Sequence, residues 1–169
     1  MFFVVIVRAT KKLLARLSGP APSAADVSTT LLGDWYATAL PWRPRQVALL
    51  VSETTLLPVL VPLAPSATLL DRFPDQLAEV LRRLDVDEAV IALECSSTVD
   101  HRLAATKSRS VVGSMNEFSY LAEAYRTGAL EPDLVELSIE LSATPCGPLY
   151  RRHISPDREV LALINGATS

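Results

Sequence analysis

Histidine and cysteine are scarce in this 169-residue chain, two of each. Cys95 and Cys146 lie far apart and neither has a second cysteine at Cys-x-x-Cys spacing. The simplest expectation is a reduced, cytoplasmic protein in which both are small core residues. His101 and His153 are isolated, and no His-Glu-x-x-His occurs. A Gly-rich dinucleotide fingerprint and a Walker loop are also missing. Gly113-Ser114 does not complete the Gly-x-Ser-x-Gly of a nucleophile elbow. No metal and no cofactor is therefore implied. Long apolar runs are absent as well. Residues 1–7 are apolar but far too few to cross a bilayer. They lack a basic n-region and an Ala-x-Ala-like cleavage site, so neither a signal peptide nor a membrane role is expected. Nor is there a basic excess. The net charge is −3, and by segment it runs +3 over residues 1–60, −5 over 61–100 and −1 over 101–169. A non-specific nucleic-acid binder carries a stronger positive balance than this.

What is present is a chain with 49% hydrophobic and 21% charged residues. That composition and length predict one globular domain, residues 1–169, with a real core. Residues 2–8 read as a first strand covered on both faces. Thr10 is placed to cap a short helix with Leu13, Leu14 and Leu17 inward, and residues 18–23 are a loop. A second helix is expected from Thr29 or Thr30 to Leu40, with Leu32, Trp35, Tyr36, Ala39 and Leu40 on one face and Pro41 as its end. Gly33 and Asp34 fall inside it; they serve either packing and solvation or the border of a site. Residues 46–52 and 55–62 read as a hairpin, with Pro58 marking the second as an edge strand or the place of a bulge. Residues 64–84 read as helical but interrupted at Pro74, which suits the first turn of a helix that buries Leu77, Val80, Leu81 and Leu84. Asp85 and Glu88 resemble a capping box for the next helix. Residues 98–105 read as a fourth strand. Helices follow over the segment after Thr106, over residues 133–141 and from Ser155-Pro156 onward. No internal repeat is apparent. The order predicts an α+β fold, with a small, mostly antiparallel sheet of about four strands packed with several helices.

The densest cluster of small, polar and basic residues is the stretch 106–118. Val111, Met115, Phe118, Ala122 and Tyr125 recur there at helical spacing, so one face should meet the core. Lys107 and Arg109 precede that helix. Ser108 and Ser110 can both cap it; Ser110 is favoured over a start at Ser114 with Glu117. An anion suits a helix start, where backbone N–H groups are unpaired and nearby cations add positive charge. The candidate ligand-binding residues are Thr106, Lys107, Arg109, Ser110, Gly113 and Asn116, with Asp34, Trp35, Tyr36 and His101 as a possible border. The bland alternative is a basic loop before a well-capped helix.

Several blocks also resemble one family. They are residues 7–14 (Val-Arg-Ala-Thr-Lys-Lys-Leu-Leu), 29–37 (Thr-Thr-Leu-Leu-Gly-Asp-Trp-Tyr-Ala), 52–62, 109–118 and 144–149. Together they resemble the uncharacterised bacterial family catalogued as domain of unknown function 6933, over almost the whole chain. The resemblance implies a small stand-alone bacterial protein and carries over no activity and no site residues. The apolar residues 2–6 would lengthen the first strand beyond the family's usual start.

Three functions compete. The first is a binding module for a phosphate-bearing small molecule or RNA, a nucleotide or RNA end, at the turn 106–116. The second is a protein-interaction subunit of a small bacterial operon, toxin–antitoxin-like, motivated by Trp42 between Pro41 and Arg43-Pro44. The third is a metal-independent nuclease or other hydrolase using His101, Asp34, Tyr36 and Arg109 if the fold brings them together.

Overall fold

The computed structural model describes residues 3–168; Met1 and Phe2, expected at the beginning of the first strand, lie outside them. The strands are β1 (Val5–Ala9), β2 (Trp35–Leu40), β3 (Val47–Ser52), β4 (Pro58–Pro62) and β5 (His101–Ala105). The helices are α1 (Lys11–Leu14), α2 (Leu69–Arg83), α3 (Glu88–Ser96), α4 (Arg109–Tyr125), α5 (Leu134–Ser142) and α6 (Pro156–Thr168). The fold is α+β, but among the described residues the sheet has five strands, in the order β4-β3-β2-β1-β5. It is mixed, not mostly antiparallel: β1 runs parallel to both β2 and β5, and only the β2–β3 and β3–β4 pairings are antiparallel.

Helices cover both faces. On one, Val5, Val7, Trp35, Ala37 and Leu50 pack with Leu13, Phe73, Leu77, Val80 and Val160. The Trp35 and Phe73 rings meet edge to face, their centroids 4.9 Å apart. On the other, Tyr36, Leu49, Val51 and Leu60 pack with Val111, Met115, Phe118 and Leu141. The edge strand β4 carries prolines at both ends, and its Leu60 N–H donates to Ser138 Oγ on α5 at 2.9 Å. An edge closed in this way cannot recruit another strand.

The largest departure from the sequence expectation is residues 29–40, a turn and a strand where a helix is expected. Trp35 and Tyr36 are adjacent, and in a strand adjacent side chains go to opposite faces. Both faces are core here, so the strand reads as a nearly continuous apolar run. Gly33 has φ +74°, and a Cβ there would stand 2.5 Å from Thr54 Oγ1. That glycine is required by the turn and ends any helix before Trp35. Pro74 also moves: it is the sixth residue of α2, not part of its first turn. The additional turn buries Leu69, Leu70 and Phe73. At about 1.5–3 kcal/mol each, these outweigh the roughly 3 kcal/mol cost of an interior proline. Asp87, not Asp85, caps α3 by accepting from Ala89 N–H, while Asp85 lies in the turn before it with φ +62°. Gly128 stands three residues beyond α4, and Tyr125 is exposed instead of inward.

Candidate functional site

β5 ends at Ala105 and α4 begins at Arg109, with a three-residue turn between them. Ser108 caps α4, its Oγ accepting from Val111 N–H at 3.3 Å. Neither Ser110, the favoured choice from sequence, nor Ser114 does so. Ser110 is already the second helical residue, and Ser114 is buried further along. The turn is held from below by Tyr36 in β2, whose hydroxyl accepts the Ser108 N–H at 3.1 Å.

Arg8 supports the same place. In the sheet register it lies between Tyr36 and Ala104, so its side chain shares the α4 face. Its Nε donates to Asp34 Oδ2 at 2.8 Å, and an Nη reaches Ala105 O at 3.4 Å. The second carboxylate oxygen of Asp34 accepts from Ser28 Oγ at 2.7 Å, and that hydroxyl accepts from Ile6 N–H at 2.9 Å. Arg8 and Asp34 therefore tie the ends of three strands together, with side-chain exposures of only 15% and 12%.

Above this support is an open depression of about 440 Å³. Thr106, Lys107, Arg109, Gly113 and Asn116 line it, five of the six residues expected from sequence. Ser108 and Val112 complete the lining, and Ser110 is not part of it. Helix geometry explains the selection. Arg109, Val112, Gly113 and Asn116 are i, i+3, i+4 and i+7 and share one face; Ser110 is turned away from it. The depression contains no acidic side chain. Lys107 and Arg109 are exposed, and neither appears among the salt bridges of the described residues. Of the carriers of the site's geometry, Ser108 is named from sequence as one of two possible caps but not as a site residue, and Arg8 is absent from the sequence-derived set. The available signal was a lone cation at the end of a buried apolar strand, costly there without a partner.

The expected border divides. Tyr36 touches the turn directly, and Asp34 reaches it through Arg8. Trp35 faces the opposite core beside Phe73. His101 begins β5, roughly 16 Å along the strand from Thr106, and its register with Val5 puts it on the other face of the sheet. His101, Asp34 and Arg109 thus share no cleft. The second histidine, His153, bonds through Nδ1 to the buried carboxylate of Glu159 at 3.0 Å. Trp42, whose place between prolines motivates the interaction reading because a turn there could expose it, is 4% accessible and stacks under the Arg126 guanidinium at 4.5 Å. Burial pushes both thiols up to about 11, Cys146 further aided by Glu117 and Cys95 by Glu94. Near neutral pH they are protonated and poor nucleophiles. No helix among the described residues is long and apolar enough to cross a membrane.

A family model described as a domain of unknown function (DUF6933) matches residues 6–159 of this chain. No curated protein matches it.

Proposed function

The chain belongs to the DUF6933 family, and we propose that it is a small binding module for a phosphate-bearing ligand, a nucleotide or an RNA end. The observation that carries this reading is the depression at the start of α4, which holds two cations without acid partners and no carboxylate. Lys107 and Arg109 supply charge. Arg109 also offers the planar fork that matches two phosphate oxygens. The first backbone N–H groups of α4 have no partner earlier in the helix and add hydrogen bonds and partial positive charge. Exposed Asn116, two turns on, can donate to or accept from the remainder of the ligand. Tyr36 and the Arg8–Asp34 pair keep the turn in place without touching the ligand. A hydrolase would require a proton-transfer group within hydrogen-bond reach of the bound phosphate. The depression's lining contains no histidine and no carboxylate, which favours binding over catalysis.

Calorimetry tests the proposal with inorganic phosphate, a panel of nucleotides and a 5′-phosphorylated oligonucleotide. Binding that Arg109→Ala weakens tenfold or more is the expected result. No binding at millimolar concentration, or equal binding by the variant, overturns it.

A further inference from the structure

Trp42 stands two residues beyond the end of β2, in the connection to β3. Together with the end of β4, α2 and the connection from α4 to α5, it encloses a pocket of about 340 Å³. Small-molecule sites begin at roughly this size, about 300–1,000 Å³. Most of the wall is apolar, from Trp42, Val47, Pro62, Leu134 and Val135. Leu130 also lines the pocket although 70% of it is exposed. More of its apolar surface leaves water only when the pocket is filled. This is a different place from the depression at the start of α4. Tyr36, under the depression, lies near the start of β2, and Trp42 lies beyond its other end. The seventeen residues of α4, about 25 Å of helix, separate Arg109 from the loop that carries Leu130.

The charged residues of the lining are already engaged. Arg45 pairs with Glu131 at 3.6 Å, both well exposed, and Asp133 Oδ1 accepts the Glu136 N–H at the start of α5. The neutral amides are not. Gln46 Oε1 accepts from Arg16 Nη1 at 2.8 Å; arginine only donates, so this bond fixes which end of the amide is oxygen and leaves its NH2 as a donor. Gln76, half-buried on α2, makes no side-chain hydrogen bond among the described residues. It can both donate and accept. The enclosure comes from several elements and is not a groove along one of them. The neighbouring β4 edge, with its terminal prolines and the Leu60–Ser138 bond, offers no ladder to an added strand. Shape and charge therefore fit a small molecule and not an extended partner.

We propose that this pocket binds a small, uncharged, mainly apolar molecule with a flat ring and one amide-like hydrogen-bonding group. Arg126 covers one face of the Trp42 ring, so the ligand's ring meets the edge or the other face of the indole. Gln76 pairs with the amide-like group, and the Gln46 NH2 supplies a further donor. An anion gains little here, because the one cation of the lining, Arg45, already has Glu131. The two sites thus select opposite ligand chemistries, charge at the start of α4 and neutral apolar surface beside Trp42.

The experiment is an NMR titration of the full chain with quinoline-6-carboxamide and, separately, quinoline-6-carboxylate, on the wild type, Gln76→Leu and Leu130→Ser. Thermal melts check that the variants are folded, as partly or largely exposed positions permit. The carboxamide should bind the wild type with a Kd below about 1 mM and shift the Trp42 indole N–H while leaving that of Trp35 in place. It should bind at least about fivefold more tightly than the carboxylate, and Gln76→Leu should weaken it by about fivefold, the worth of one hydrogen bond. Leu130→Ser should weaken both probes. No binding of the carboxamide at millimolar concentration, shifts that bypass Trp42, equal binding of the carboxylate, or equal binding by Gln76→Leu overturns the proposal. Trp42 shifts that follow protein concentration without any probe would assign the pocket to a second copy of the chain and overturn it as well.

Discussion

Gly113→Ala separates packing from binding at the centre of the site. Gly113 is the fifth residue of α4, it lines the depression, and an added Cβ there meets no atom within 4 Å. Its φ is outside the left-handed region, so alanine fits the backbone without strain. Glycine inside a helix costs about 0.8–1 kcal/mol relative to alanine, and nothing in the surroundings offsets that gain. For a chain of this size, about 1 kcal/mol raises the melting temperature by roughly 2–4 °C. The same methyl stands where a ligand would approach the backbone. If it displaces one hydrogen bond to a charged group, the loss is about 1.5 kcal/mol or more, a tenfold weaker affinity. Melting followed by circular dichroism and phosphate or pyrophosphate titration of the one variant provide both readings. A lower melting temperature would refute the open helical environment. A higher one with unchanged affinity would remove Gly113 from the binding surface.

Arg8→Ala leaves Asp34 largely buried with only Ser28 as partner. It should cost about 2–4 kcal/mol, near the lower range for breaking a buried pair, read by urea unfolding; a loss below 0.5 kcal/mol would refute its structural role. Phe73→Ala removes a 1%-exposed ring that meets Trp35 edge to face and should cost about 3–5 kcal/mol, visible in the same assay. Burial raises the Glu94 carboxyl above the usual carboxylate range, even though Leu31 and Leu32 N–H donate to it. The folded state therefore keeps this proton to higher pH than the unfolded chain. The cost of ionising it is absent below the ordinary glutamate pKa of about 4.3 and grows as pH rises to the folded value, so its contribution to stability falls across that window. Glu94→Gln should flatten this part of the stability–pH curve, and an unaltered curve in the variant would contradict the assignment.

Local pattern is enough where one element has one buried face. In α4, Val111, Met115, Phe118 and Ala122 are readable from spacing alone, because the opposite side of the helix is wet. The β3–β4 hairpin is readable from its β-branched runs, with Pro58 marking the edge. Asp133 at the start of α5 follows the same local logic, its Oδ1 accepting from Glu136 N–H. The polar and basic stretch 106–116 stands out in the sequence for the same reason: it lacks apolar periodicity until Val111, so its residues are left for solvent or a ligand.

Only the tertiary structure decided the remainder. β2 is covered on both sides, so its apolar residues have no clean period of two and fit a helix as well as a strand. The choice was made by its partners β1 and β3 and by the left-handed turn at Gly33. The neighbour relation of β1 and β5 joins residues nearly one hundred positions apart, and no local propensity encodes it. That relation sets Arg8 beside Ala105, places Lys11 and Lys12 at the same end of the sheet as Lys107, and carries His101 to the far end and opposite face. Residue types near the turn are a property of the sequence. That Arg8 supports it, and that His101 does not reach it, follow from strand order and the alternation of side chains across the sheet.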